Sequence, residues 1–313
     1  MDLRDSLIDY LTIKQELKYG EELLDNPYNF FNYDSHVSSN HYKGSISFKN
    51  GKVLAKNDDF LKNPAYEKGV ETHKVYVKEQ YKPLFMHAEV LYSWFFNKSG
   101  GTSAVYYPFT FNGTTGVISK DINSFNGGKI LNYEEVCPYP EFTNRDEIPY
   151  LSFNGNISQF KKLNCDSLVN SYQNLFLRDL AILQYDRHNK NYLIAKSTKN
   201  KLYELVAFDN DATRATLAYD DDKINNKSLF VRGLNHYVEQ YYNVINELKN
   251  DKNKNLITNR LEARKTLNNI ANTHMDDIAN EIYNTIGFTL DEKFVKKCET
   301  GKNIVCNDLD KCI

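Results

Sequence analysis

From Leu175 to Thr213 the chain reads LFLRDLAILQYDRHNKNYLIAKSTKNKLYELVAFDNDAT, and this run constrains the fold more than any other. Apolar residues three and four apart predict a helix that leads into Asp186-Arg187-His188-Asn189-Lys190-Asn191. A short apolar run follows (Tyr192, Leu193, Ile194), then a polar turn. A second run (Leu205, Val206, Ala207, Phe208) is closed by Asp209-Asn210-Asp211. Two short strands would bring carboxylates and a carboxamide to one mouth. Phosphoryl transfer asks for little more: positioning, a hard divalent cation and a base beside the attacking hydroxyl. On this reading Asp186 orients or deprotonates the acceptor hydroxyl, Asn191 and Asp209 hold Mg²⁺, and Arg187 and His188 brace the loop. Residues 186–191 alone would suit a solvated turn equally well. The aspartate cluster after a well-formed apolar strand decides for the chemistry.

Asp186-Arg187-His188-x-x-Asn191 followed by Phe208-Asp209 resembles the catalytic and metal-binding segments of the HipA-like Ser/Thr kinases. The phosphatidylinositol 3- and 4-kinases share D-R-H-x-x-N, whereas eukaryotic protein kinases carry His-Arg-Asp in the reverse order. The resemblance implies an α+β, bilobal protein-kinase-like fold, with a mixed β-rich N-lobe and a mainly helical C-lobe. It implies ATP and Mg²⁺ as cofactors and a Ser or Thr of a protein, the chain itself included, as phosphate acceptor. It also implies a Lys on a strand paired with a Glu in the next helix, which aims the Lys at the α- and β-phosphates. Lys78 in the strand Lys74-Val75-Tyr76-Val77-Lys78 and Glu89 in the following helix take those places, with Lys74 on the same face as a rival. Gly116-Val117-Ile118-Ser119-Lys120-Asp121 resembles a segment near the hinge, whose backbone around residues 119–122 would face the adenine.

Two departures stand out. Leu183-Gln184 occupies the place where many HipA-like proteins have Gly-Asn, which puts the local backbone turn in question. Asn210 and Asp211 follow the metal aspartate where a protein kinase would carry Phe-Gly, and Asp211 reads as a turn residue more readily than as a further ligand. There is also no G-x-G-x-x-G and no Walker G-x-x-x-x-G-K-[ST].

The remaining expectations follow chain order. Residues 2–24 show a helical apolar face (Leu3, Leu7, Ile8, Leu11), and 25–45 read as an irregular loop. Ile46 to Lys56 reads as a hairpin around Asn50-Gly51. A helix from Met86 places Leu91 and Phe95 for burial, and Trp94 reads as core. Residues 103–122 read as two strands joined by Asn112-Gly113-Thr114-Thr115-Gly116, and 123–165 as loop with the lobe boundary inside it. Asp166 reads as the N-cap of a helix carrying Leu168, Tyr172, Leu175, Phe176, Leu180 and Leu183. Residues 214–230 read as irregular with a solvated acidic tip at Asp220-Asp221-Asp222. Helices are expected at 232–249 and 257–285, the second burying Leu261, Leu267, Ile270, Ala271, Ile278 and Ile282, and the tail from Asp291 would cap the C-lobe. The implied domains are an extension over 1–45, an N-lobe over 46–150 and a C-lobe over 151–313.

A chain of 313 residues can bury a substantial core, and a formal charge of −2 gives no broad attraction to nucleic acid or acidic membrane. No apolar run is long enough to span a bilayer, and Met1 to Leu11 lacks a signal-peptide core. Five widely spaced cysteines (Cys137, Cys165, Cys298, Cys306, Cys312) without zinc-ligand spacing suit free thiols in a reducing cytosol. Delivery as an effector, and an antitoxin-like or regulatory partner, would leave no mark of their own. Two other functions compete: a kinase for a phosphoinositide or other small alcohol, which the acidic interval after Asp209 disfavours, and an inactive kinase fold serving as a binding module.

Overall fold

The computed structural model describes residues 83–108, 157, 160–184, 187, 191–196, 202–210, 242–250 and 257–313 with their side chains, and a few positions between 116 and 136. It describes the backbone alone at 235–241 and in the strands before residue 80, and at the remaining strand positions between 109 and 129. The helix expected at 2–24 lies outside the described residues. The chain divides into two compact units: residues 1–90 with 104–122, and residues 91–103 with 123–313.

The first unit contains a five-stranded antiparallel sheet and a smaller one. The strands are β1 (Asn32–Tyr33), β2 (Lys43–Ser45), β3 (Phe48–Lys49), β4 (Lys52–Val53), β5 (Val70–Glu71), β6 (Val75–Glu79), β7 (Tyr106–Phe111) and β8 (Thr114–Lys120). The larger sheet runs β1-β2-β6-β8-β7 and the smaller β4-β3-β5. Phe48 pairs with Val53 and Lys49 with Lys52, so Asn50-Gly51 is the two-residue link expected of that dipeptide. Phe111 pairs with Thr114, so the second hairpin turns on Asn112-Gly113 alone; Thr114, Thr115 and Gly116 belong to the strand. The loop expected over 25–45 contains β1 and β2. Their composition is poor for strands, and they form by pairing to the edge next to β6.

Helix α1 (Pro83–Lys98) begins three residues before Met86, and Leu91, Phe95 and Trp94 are buried as expected. In the second unit, Asn97 donates from its side chain to the Ser93 and Ser103 carbonyls, fixing the exit of α1. Gly100, at φ +77°, then turns the chain without the penalty a Cβ would incur.

The second unit is built on helix α2 (Asp166–Ile182) and a three-stranded sheet of β9 (Lys129–Leu131), β10 (Tyr192–Lys196) and β11 (Tyr203–Ala207), in the order β11-β10-β9. β9 lies inside the segment expected to be loop; it is only three residues long and forms by pairing with β10. All six apolar residues expected on one face of α2 are buried. The N-cap is Cys165 rather than Asp166, and it makes no side-chain cap bond; Asp166 is the first helical residue, where its charge favours the helix dipole. β11 is the outer strand, and its outward N–H groups are accounted for. Tyr203 donates to Ser167 Oγ (3.1 Å), Leu205 to Ser171 Oγ (2.8 Å) and Ala207 to the Thr102 carbonyl (2.9 Å). Two serines one turn apart on α2 therefore dock the strand.

Four helices follow: α3 (Asn235–Asn250), α4 (Arg260–Ala271), α5 (Met275–Ile286) and α6 (Glu292–Asp310). The single helix expected over 257–285 is two. The break at 272–274 is held from α6, where Glu299 accepts from Met275 N–H (2.9 Å) and Lys302 donates to the Thr273 carbonyl (2.6 Å). Leu261, expected in the buried face, is 82% exposed, because the first two turns of α4 present Ala263 and Thr266 inward instead. The tail from Asp291 is a 19-residue helix, with Asp291 as a true N-cap accepting from Phe294 N–H at 2.7 Å. α6 packs on α2, α4 and α5. Its buried Phe294 meets Tyr92 of α1 edge-on, and the Tyr92 hydroxyl lies 3.0 Å from Cys298 Sγ. Cys165, Cys298, Cys306 and Cys312 are free. Burial pushes the Cys298 thiol to about 12 and that of Cys306 to about 11, so neither is a poised nucleophile.

Candidate functional site

The expected catalytic segment centres on Arg187, a residue only 4% exposed. A guanidinium has five N–H donors, and here each has an acceptor. Nε donates to both Asp179 oxygens (3.2 and 3.1 Å), and Nη2 donates to Asp179 Oδ1 (3.1 Å) and Asn210 Oδ1 (2.6 Å). Nη1 donates to the carbonyls of Asn191 (2.6 Å) and Phe208. One side chain therefore joins helix α2, the start of β10 and the end of β11. No donor is left over for a substrate, and the side chain ties three segments together.

Asp179 supplies the charge that makes this arrangement affordable. Burial pushes its carboxyl above the usual carboxylate range, and the Arg187 guanidinium opposes that push. Asn210 is fully buried, accepting from Arg187 and donating to Ser103 Oγ at 3.2 Å, while Ser103 Oγ donates to the Ala207 carbonyl at 3.0 Å. The residue after the metal-binding candidate is thus locked to the segment that follows α1.

The two metal-ligand candidates come to the same end of the β10–β11 pair. Tyr192 pairs with Ala207, and one step further Phe208 N–H donates to the Asn191 carbonyl at 3.2 Å. Asp209 is the next residue. It sits at φ +59°, a region that aspartate and asparagine tolerate better than most L-residues. Its carbonyl is held at 3.1 Å by the side-chain amide of the buried Gln184. Gln184 in turn follows Leu183, which ends α2 at φ +53°. Glycine would take that left-handed turn at no cost, so the departure from Gly-Asn noted in the sequence leaves a turn that a leucine makes under strain.

Asp186 and His188 lie outside the described residues. Lys78 lies on β6, paired with Lys43 and Val117, and its side chain is not described. Glu89 is a buried residue of α1. The hinge-like segment Gly116 to Lys120 forms most of β8. Among the described residues no group of three His, Cys, Asp or Glu could hold a metal. A carboxamide such as that of Asn191 and a carboxylate such as that of Asp209 are oxygen donors of the kind Mg²⁺ takes when it keeps several waters. Sequence reasoning missed Asp179, Gln184 and Ser103 and gave Asn210 no role. Arg178-Asp179 between Leu177 and Leu180 carried the signal, since charges inside an apolar helix need partners.

A mixed helix-and-strand chain with this loop arrangement has the class of fold seen in HipA kinases. HipA of Shewanella oneidensis, in a structure with HipB and its operator DNA, superposes with a TM-score of 0.53 at 16% identity, covering 91% of this chain and 66% of that one. The Helicobacter pylori proinflammatory kinase CtkA aligns with a TM-score of 0.49 at 14% identity, covering 91% of this chain and 95% of that one. No protein-family profile matches the chain, and no curated protein matches it by sequence.

Proposed function

We propose that the chain is an ATP- and Mg²⁺-dependent kinase that transfers the γ-phosphate to a Ser or Thr of a protein, itself included. The observation that carries this is the Arg187 junction. It ties the backbone beside Asn191 to the backbone beside Asp209, on a fold similar to that of HipA. In this reading Asp186 takes the hydroxyl proton, His188 and Arg187 brace the loop, and Asn191 and Asp209 hold the ion. Lys78, steadied by Glu89, positions the α- and β-phosphates. Mg²⁺, when bound, neutralises phosphate charge as the bond to the leaving oxygen breaks. The two units correspond to an N-lobe and a C-lobe, and a regulatory protein partner belongs to the same proposal, the HipA structure being that of a toxin–antitoxin system with HipB.

The test is intact mass after incubation with Mg-ATP and candidate protein substrates. Added mass in multiples of a phosphate, absent without Mg²⁺, is expected. The absence of a Gly-rich phosphate loop favours the second reading, an inactive kinase fold that binds nucleotide. Thermal stabilisation by Mg-ATP with no ADP released would select that reading instead.

A further inference from the structure

A cavity of about 410 Å³ opens in the second unit, and no residue assigned to phosphoryl transfer lines it. Its walls are α2, the first residues of β11 and the start of α4. Arg178 forms its floor, 3% exposed, donating from Nε to Ser99 Oγ (3.0 Å) and from Nη2 to the Ser99 carbonyl (2.6 Å), with Nη1 on the Asn174 carbonyl (2.8 Å). Gly101 lies so close that a Cβ there would stand 2.6 Å from Arg178 Nε. The guanidinium is therefore fixed, and its partners there are neutral.

Much of the wall is tied up in holding the fold. Ser167 and Ser171 dock β11, and Thr102 Oγ1 donates to Glu204 Oε1. The positions of Asn259 and Glu262 are set by Gln173, which accepts from the N–H groups of Thr258 and Asn259, and by the Asn259 cap on Glu262 N–H. What remains open is acidic. Among the described residues Glu204 uses one oxygen on Thr102, and the charged neighbour of Glu262 is a surface lysine, Lys265, at 3.9 Å. Asn170 has no hydrogen-bond partner among the described residues, and Asn174 uses its carbonyl oxygen on Thr266 (2.9 Å), leaving its amide for the cavity. Two carboxylates face one buried cation. At the mouth, Leu202 is 52% exposed and Tyr203 is part of the wall, its ring also met by the Lys196 ammonium at 5.4 Å from the centroid.

We propose that this cavity binds a guanidinium or primary ammonium head carried on an aliphatic stem. The head is held by Glu204 and Glu262, and the stem lies along Leu202 and Tyr203. Among the lining residues the carboxylates outnumber the cation by one, Lys265 being an exposed residue outside the lining, and charge-assisted hydrogen bonds to both acids are the strongest contacts the cavity offers a cation. The volume falls in the range of small-ligand sites, with room for the head group and its first waters. The same chemistry comes either from a free amine metabolite or from an Arg or Lys side chain of a protein bound at this face.

Calorimetric titration of the full chain with butylguanidinium, butylammonium and an end-blocked Gly-Arg-Gly peptide tests this. Saturable binding is expected, weakened at least about tenfold in Glu204→Gln/Glu262→Gln, whose substitutions keep shape and remove charge. Tighter binding of the peptide than of the free cation assigns the site to a protein partner, and the reverse order assigns it to a metabolite. Glu262→Gln alone, at a partly exposed residue, gives the same reading should the double variant fail to fold. Asp209→Asn should bind as the parent does, which separates this outcome from that of the kinase reading. No saturable binding of any probe, or binding unchanged in the glutamine variants, overturns the proposal.

Discussion

Two arginines nine positions apart, Arg178 and Arg187, are buried to the same degree and used in opposite ways. Arg187 faces a carboxylate and gives away every donor; it joins three segments and leaves nothing for solvent. Arg178 bonds neutral oxygens of Ser99 and Asn174 beside an open cavity. Burial lowers its pKa to about 10, with Asp179, Glu204 and Glu262 resisting the fall. The contrast separates a joint from a wall. The same residue type locks a loop when its partners are charged and enclosed, and floors a cavity when they are neutral and near water.

The largest test of that contrast is Arg187→Ala. It leaves Asp179 buried without its counter-charge and should cost about 3–5 kcal/mol in chemical denaturation. Arg178→Ala loses hydrogen bonds whose acceptors can be rehydrated from the cavity, and about 1–3 kcal/mol is expected. Equal losses for the two would erase the distinction. Gly101→Ala drives a methyl group to 2.8 Å from Arg178 Cδ and should destabilise by about 1–3 kcal/mol through overpacking, an effect that Arg178→Ala should relieve in the double variant.

The smallest effect concerns the acid at the α4–α5 break. Burial would raise the Glu299 carboxyl, but the Met275 N–H, His274 and Lys302 outweigh it and hold the group below its usual value of 4.5. A carboxyl depressed by folding adds stability above its unfolded pKa and loses it as pH falls through the folded one. Thermal midpoints should therefore drop below about pH 4.5 more steeply in the parent than in Glu299→Gln, and parallel curves would contradict this assignment.

Where local pattern and tertiary contact agree, the sequence was enough. The buried face of α2, the pair β10 and β11 and the Asn50-Gly51 hairpin follow from periodicity and turn chemistry. The break at 272–274 was hidden because Glu299 and Lys302, which hold it, come from more than twenty residues away. β1, β2 and β9 were hidden because strands of two or three residues carry almost no pattern of their own and form by pairing with a neighbour. At the site, oxygen-bearing side chains at suggestive spacing pointed to Asn191 and Asp209. The brace was half legible: Arg187 stood in the motif, but its acid sits eight residues upstream in a helix that otherwise reads as core.

The central claim is that the Asp186–Asn191 and Asp209 segments form one phosphoryl-transfer centre. Incorporation of label from γ-labelled ATP with Mg²⁺ tests it most directly, comparing the parent with Asp186→Ala and Asp209→Asn; asparagine tolerates the backbone at 209 and removes the charge. The account predicts label in the parent and a loss of at least about a hundredfold in each variant, with circular dichroism unchanged. Labelling that survives both substitutions in folded protein would contradict it.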